Sequence, residues 1–228
     1  MKKVVFALSI LAFVSCKFNQ NGNKSILPEE KGSKSNRATV AVSHTDTALS
    51  TTESSTESIS QLDAAGNYIY NTGDIQEIQL PDGSVINVGS NSTESKLFSM
   101  LSDAGFTVNT DKTQDWVTLD RVYFNTGSDE LTDASKMQID NIVALLKAFP
   151  DAEVKLGGYT DNTGSQDINK PLSEGRAKSV LNDISASGIN NNRLSAEGYG
   201  AEHPICPAND TDICKAQNRR VDIRIVKK

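Results

Sequence analysis

Two charged side chains in the C-terminal half of the chain lie where they could recognise a ligand. Asp161 lies in the turn 160–164, directly after an apolar run, so its carboxylate can project over the edge of a sheet. Arg176 falls on the apolar side of the helix predicted after this turn, and Asn169 precedes it by nearly two helical turns. A guanidinium pairs with a carboxylate, and an aspartate accepts hydrogen bonds from an ammonium group. Together the two residues suit a zwitterion such as an amino acid.

The same two residues also have a purely structural interpretation. Asp161 and Arg176 can pair with each other as a salt bridge, because such pairs are common in proteins that bind no ligand there. Spacing alone leaves a ligand clamp and a structural pair both open.

Catalytic chemistry has little support in the sequence. A hydrolase that used Asp161 or Glu197 as acid or base would need a second carboxylate, a metal or an activated nucleophile in the same cleft. The two histidines, His44 and His203, form no ligand cluster with the cysteines. We therefore predict no catalytic residues, no metal site and no cofactor.

Regular patterns in residues 113–228 predict the elements that position this site. In the first predicted helix, which follows Thr132 and ends at Pro150, apolar residues recur at helical spacing: Ile139, Ile142, Val143 and Leu146. The remaining predicted elements are strands at 116–124, 154–156, 194–200 and 221–226 and a helix at 169–187. This order predicts an α/β (α+β) fold, a two-layer β-α-β-α-β-β sandwich with helices on one face of a mixed sheet.

Five ordered segments make residues 116–228 similar to the OmpA-like C-terminal domain family, which includes peptidoglycan-associated lipoproteins and flagellar-motor stator proteins. The segments are VYFN at 122–125, GYTDNTG at 158–164, NKPLSEGRA at 169–177, GYG at 198–200 and NRRV at 218–221. The resemblance implies noncovalent binding of the peptidoglycan peptide stem, mainly through its diaminopimelate.

The resemblance also implies roles for individual residues. Asp161 would take the ammonium of the diamino acid and Arg176 its carboxylate, while Thr163, Asn169 and Arg219 would make secondary contacts in the same pocket. Three departures concern this site. One is the loop expected at 203–217, whose Cys206 and Cys214 could staple the rim of the pocket. Gly127 stands where some relatives offer an Asn side chain, so only its backbone could contribute, and Tyr159 replaces a frequent His.

The first residues resemble a lipoprotein signal peptide. Lys2 and Lys3 precede an apolar run at 4–14 that is too short to span a bilayer, and the run leads to Cys16. We expect residues 1–15 to be removed and Cys16 to be lipidated, with an ordinary secretory signal as the alternative. Lys17 favours the outer membrane and its periplasmic face.

Residues 16–62 have the composition of a flexible tether, rich in Ser, Thr, Asn and Lys. The net charge of −6 excludes nucleic acid as an expected partner, because such binding needs clustered basic residues. The partner that the family resemblance implies is peptidoglycan, and the expected lipid at Cys16 adds the outer membrane.

Residues 63–112 predict a small unit with no chemical motif. A β-hairpin turns at 81–83, and a helix follows the potential caps Asn91, Ser92 and Thr93 and ends near Gly105. This unit would pack on residues 113–228 or act as a spacer, and it could bind an envelope protein.

Cys206 and Cys214 remain once Cys16 is assigned to the lipid. A secreted compartment permits them to form a disulfide, and two free thiols are the alternative.

Overall fold

The computed structural model describes residues 61–228. The predicted signal peptide, Cys16 and almost all of the predicted tether lie outside the described residues. Within 61–228, no helix is long and apolar enough to cross a membrane.

Four strands form a mixed sheet in the order β3-β6-β4-β5. Their bounds, with those of the hairpin before them, are β1 (Ile75–Gln79), β2 (Val85–Gly89), β3 (Trp116–Thr118), β4 (Glu153–Gly158), β5 (Leu194–Gly198) and β6 (Val221–Lys227). β4 and β5 are parallel, whereas β6 is antiparallel to both β3 and β4. The predicted mixed α+β fold is confirmed.

The main helices bury the faces that their apolar periodicity predicts. The helices are α1 (Thr93–Ser102), α2 (Lys136–Ala148), α3 (Gln166–Ala186) and α4 (Asp212–Asn218). Ile142 of α2 and Val180 and Ile184 of α3 are fully buried against apolar strand residues such as Leu156 and Ile223. Burial of such side chains stabilises the fold by roughly 1.5 to 3 kcal/mol each.

The hairpin and α1 pack into the same hydrophobic core as the mixed sheet. Glu94 of α1 is completely buried and forms an ion pair with Arg121, and its other oxygen accepts a hydrogen bond from Gln138 of α2 at 3.1 Å. The N–H of Thr93 donates to Asp120 at 2.8 Å. This buried polar network ties α1 to the rest of the described structure, so the unit packs on residues 113–228 rather than acting as a spacer.

The predicted strand at 116–124 is wrong beyond Thr118. The N–H of Arg121 donates to the Gln138 side chain and that of Tyr123 to Ser135 Oγ, both at 2.8 Å. These backbone groups are satisfied by side chains and not by a neighbouring strand, so the ladder ends after three residues.

Two smaller expectations are also corrected. α1 ends at Ser102, where the N–H of Asp103 bonds the carbonyl of Ser99, so Gly105 does not terminate the helix. Residues 212–218, which were expected to be loop, form α4, whose first turn is capped by the Thr211 side chain accepting from the N–H of Cys214.

Candidate functional site

Asp161 lies just beyond the end of β4, as predicted, and is held by two specific contacts. Its Oδ1 accepts the N–H of Thr163 at 2.8 Å, and its Oδ2 accepts Nη1 of Arg219 at 2.9 Å. Before it, the N–H of Thr160 bonds the carbonyl of Gly200 at 2.8 Å. The carboxylate therefore has a fixed orientation on a well-ordered turn.

These contacts keep Asp161 ionised. Burial by itself raises the pKa of the Asp161 carboxyl, but the hydrogen bond from Arg219, the hydrogen bonds from Thr163 and the charge of Arg219 outweigh it. The pKa therefore lies below its ordinary value, and the carboxylate is negatively charged at neutral pH.

Arg176 is brought to the site by an unusually close approach of α3 to the sheet. A Cβ at Gly158 of β4 would lie 1.9 Å from the carbonyl oxygen of Ser173, and one at Gly198 of β5 would lie 2.3 Å from the backbone nitrogen of Glu174. Only glycine allows backbones to pack this closely. The contact sets the position of α3 three residues before Arg176.

Arg176 has no carboxylate partner within 4 Å among residues 61–228. Its side chain is buried, Nε donates to the Ser128 carbonyl at 3.0 Å, and the guanidinium lies 5.2 Å from the centre of the Phe124 ring. The structural alternative, an Asp161–Arg176 salt bridge, is therefore not formed. Arg219 forms the salt bridge with Asp161 instead.

Two effects act on the charge of Arg176. Burial lowers the pKa of the guanidinium, and the positive charge of Arg219 lowers it further, while Asp161 and Asp129 partly offset both. An arginine stays protonated at physiological pH in spite of such shifts, so the pocket contains a buried cation whose charge Asp161 and Asp129 offset only in part.

A pocket of about 370 Å³ opens beside these two residues. Of the predicted site residues, Asp161, Arg176, Arg219 and Gly127 line it. Gly127 has a positive φ of 69°, which suits glycine, and lies in an exposed turn whose Ser128 carbonyl holds Arg176. The described part of the pocket thus presents one carboxylate and three arginines, of which Arg219 is paired with the carboxylate.

Thr163 and Asn169 do not line this pocket. Thr163 acts on Asp161 through its backbone N–H, and the buried amide of Asn169 donates to the backbone carbonyl of Asp161 at 3.5 Å. Asn169 instead faces a separate depression that it shares with Gly164 and Tyr199. In this structure both residues position Asp161 rather than contact the pocket.

A disulfide joins Cys206 and Cys214, with 5.2 Å between their Cα atoms. The buried side chain of Asn218 crosses this loop, accepting the N–H of Cys206 at 3.0 Å and donating to the Cys206 and Asn209 oxygens at 2.8 Å. Because Asn218 precedes Arg219, the stapled loop fixes the backbone that carries the partner of Asp161.

Part of the pocket lies outside the five segments that resemble the OmpA-like family. Ala65, Asn67, Tyr68 and Tyr70 line it from before the hairpin. Arg220 also lines it, and its buried Nη1 has no hydrogen-bond partner among the described residues. No motif identifies residues 65–70, since their nearness to the pocket depends on contacts across more than 150 positions, such as that of Arg219 with Gly66.

The residues described here show no group of three His, Cys, Asp or Glu side chains that could hold a metal ion.

Residues 123–219 match the model of the OmpA family, so this part of the chain is an OmpA-family domain, and the resemblance is confirmed. Among similar proteins, the probable lipoprotein YiaD of Escherichia coli is 38% identical over 46% of this chain and 47% of its own length. The peptidoglycan-binding protein ArfA of Mycobacterium tuberculosis is 45% identical over 37% of this chain and 26% of its own length. The similarity thus spans about half of the first relative and about a quarter of the second.

Among solved structures, the peptidoglycan-associated lipoprotein of Burkholderia pseudomallei is similar at 28% identity, with a TM-score of 0.44. The match covers 46% of this chain and 87% of that one.

Proposed function

We propose that this protein binds peptidoglycan noncovalently, by holding the zwitterionic diamino acid of the peptide stem between Arg176 and Asp161. The observation that carries the proposal is the buried guanidinium of Arg176, which lines an open pocket and has no carboxylate partner within 4 Å among the described residues. An ionised carboxylate lines the same pocket.

Electrostatics favour a ligand carboxylate at Arg176. A buried cation without a counterion is destabilising, and a bound carboxylate would compensate it. Within residues 61–228, this guanidinium donates one hydrogen bond, from Nε to the Ser128 carbonyl. Its remaining N–H donors form the planar fork that binds a carboxylate through two parallel hydrogen bonds.

Asp161 supports the opposite end of the ligand. Its two oxygens each accept one hydrogen bond, from Thr163 and from Arg219, and each carboxylate oxygen can accept a further one. An ammonium group can therefore bind without displacing Arg219. Arg219 compensates part of the Asp161 charge, so this end contributes less than the Arg176 end.

The comparisons support binding rather than catalysis. The OmpA-family domain contains all six residues predicted for the site, and one relative carries the name peptidoglycan-binding protein. In residues 61–228 the one carboxylate that lines the pocket is Asp161, and hydrolysis of the wall would need a second catalytic group.

The envelope location is proposed on two grounds. The sequence predicts lipidation at Cys16, and similar proteins include a probable lipoprotein and outer membrane proteins of Acinetobacter baumannii and Haemophilus influenzae. Acyl chains at Cys16 would sit in the outer membrane, and residues 16–62 would let the folded domain reach the wall. Many such links together resist detachment of the membrane.

Co-sedimentation of the mature protein with purified peptidoglycan tests the proposal. We expect the wild type to pellet, and Asp161→Ala and Arg176→Ala to stay in solution once circular dichroism has shown that they fold. Lys178→Ala is the matched control, because Lys178 lies on the exposed side of α3 in a solvent-exposed pair with Glu174. Equal pelleting of all four proteins would contradict the proposal.

A further inference from the structure

We propose that the loop 61–70, which precedes the OmpA-family match, is an added wall of the peptidoglycan pocket and contacts the bound diamino acid directly. The inference rests on the proposed function. Four residues of this loop line the pocket together with Asp161 and Arg176. They are Ala65, Asn67, Tyr68 and Tyr70.

Hydrogen bonds within the loop 61–70 fix its conformation. Asp63 closes its turn, because Oδ1 accepts the N–H groups of Ala65 at 2.9 Å and Asn67 at 2.8 Å and Oδ2 accepts the Asn67 amide at 2.9 Å. Leu62 and Tyr68 form an isolated antiparallel bridge, and the N–H of Ile69 bonds the Gln61 carbonyl at 2.8 Å. The loop therefore holds its own shape.

Arg219 attaches this loop to the ligand-binding carboxylate. Its Nη1 donates to Asp161 Oδ2 at 2.9 Å, and its Nη2 donates to the Gly66 carbonyl at 3.1 Å. One planar guanidinium thus orients Asp161 and the loop together. The position of the loop is therefore coupled to that of the Asp161 carboxylate, which would bind the ligand ammonium.

The loop adds two tyrosines to a pocket in which Tyr123 and Phe124 already stand beside the charged groups. Tyr68 and Tyr70 pack edge to face, with 4.7 Å between their ring centres, and Phe124 lines the same pocket. A diamino acid carries an apolar methylene arm between its two charged ends. Aromatic rings bind such an arm by removing apolar surface from water, which Asp161 and Arg176 alone cannot do.

The inference assigns the loop a role in selectivity. Charge complementarity accepts any zwitterion of suitable length, whereas a wall along the arm discriminates by the length and the polarity of that arm. The ligand class is therefore a peptide stem whose diamino acid has a long aliphatic arm, and Tyr68 is the contact residue that we single out.

The proposed contact of the loop 61–70 with the ligand can be tested by calorimetric titration. The full mature protein is titrated with the soluble tripeptide L-alanyl-γ-D-glutamyl-meso-diaminopimelate. We expect Tyr68→Ala to weaken binding roughly five- to tenfold and Tyr68→Phe to bind like the wild type, since the ring makes the contact. Asp63→Ala should weaken binding severalfold, although Asp63 does not line the pocket, because it frees the loop.

Ile69→Ala is the matched control. Ile69 lies in the same loop between the two tyrosines, is 47% exposed and does not line the pocket, so its loss should leave binding unchanged. Thermal melts should show that all variants fold.

The outcomes separate this inference from the proposed function. Wild-type affinity in Tyr68→Ala and Asp63→Ala, together with loss of binding in Arg176→Ala, would overturn the wall and leave the proposed function standing. Tighter binding by Asp63→Ala would also overturn it, since the loop would then obstruct the pocket. If the wild type binds neither the tripeptide nor purified peptidoglycan, the proposed function is contradicted, and the role of the loop 61–70, which rests on it, is contradicted as well.

Discussion

Arg219 Nη1 lies 2.9 Å from Asp161 Oδ2, and this pairing leaves the guanidinium of Arg176 without a carboxylate partner in the described part of the chain. The two residues belong to the turn after β4 and to the C-terminal end of α4, 58 positions apart. The pair orients the carboxylate of the pocket, and Arg176 keeps its capacity for a ligand.

Replacing Arg176 with lysine tests whether the site needs a planar fork. We expect Arg176→Lys to weaken binding of peptidoglycan at least tenfold, because an ammonium keeps the charge but cannot form two parallel hydrogen bonds to one carboxylate. A pelleting titration measures the change. Retention of wild-type affinity would show that the charge alone is sufficient.

Replacing Arg219 should change the pH dependence of binding. In the wild type the pKa of the Asp161 carboxyl is lowered from its ordinary value of 3.8, so the carboxylate stays ionised throughout the range from pH 5 to 8. The affinity for peptidoglycan should therefore not change between pH 5 and 8. Removing Arg219 removes its hydrogen bond and its charge, which both lower this pKa, whereas the hydrogen bonds from Thr163 and the burial that raises the pKa persist. In Arg219→Gln the loss of binding on acidification should therefore begin at a higher pH.

Folding stability should depend on pH in the same direction as binding, and both should decrease on acidification. A carboxylate whose pKa is lowered on folding stabilises the protein above its unfolded pKa, and this stabilisation is lost as the pH falls through the folded pKa. Binding and unfolding measured at pH 3 to 7 check both effects. Arg219→Lys, which keeps the charge, should restore part of the wild-type profile, and identical acid limbs in wild type and Arg219→Gln would contradict the assignment.

The buried Glu94 network should contribute strongly to stability. Glu94→Ala leaves Arg121 with only its longer contact, to Asp120 at 3.4 Å, and removes acceptors of Gln138 and Asn141. We therefore expect the free energy of unfolding to fall by about 3 kcal/mol. For a domain of this size that lowers the Tm by roughly 6 to 12 °C. Differential scanning calorimetry measures the shift.

Glu77→Ala is the control for this change, because Glu77 is an exposed residue of β1. It should alter the Tm by no more than a degree or two. Equal effects of the two substitutions would show that the network does not couple α1 to the rest of the fold.

Opening the disulfide should reduce stability and spare the fold. Closing the short loop between Cys206 and Cys214 is worth about 2.5 kcal/mol on the chain-entropy model, so the double variant Cys206→Ser and Cys214→Ser should unfold at a lower denaturant concentration. Urea unfolding with and without reductant checks this. Reductant should move the wild-type midpoint towards that of the double variant and leave the variant itself unchanged. Coincident midpoints for oxidised wild type and double variant would contradict the prediction.

Local pattern is sufficient to predict the framework of this domain. Apolar periodicity predicts α2 and α3, since Ile142, Val180 and Ile184 are buried because of where they fall along their helices. Capping also is local, and Ser92 begins α1 as its residue type indicates. The same reasoning fails beyond Leu119. There the side chains of Gln138 in α2 and of Ser135 at the N-cap of α2 accept backbone N–H groups and override the strand propensity.

The sequence by itself therefore determined the mixed sheet with its main helices, the placement of Asp161 in a turn after a buried strand, and the burial of Arg176 on α3. Only the tertiary structure decided that Arg219 is the partner of Asp161 and that residues 65–70 line the pocket. The physical reason is the sequence separation between the residues that interact. Periodicity and capping act over a few residues, whereas the contacts of Arg219 with Asp161 and Gly66 join positions 58 and 153 residues apart, which become neighbours when the core has formed.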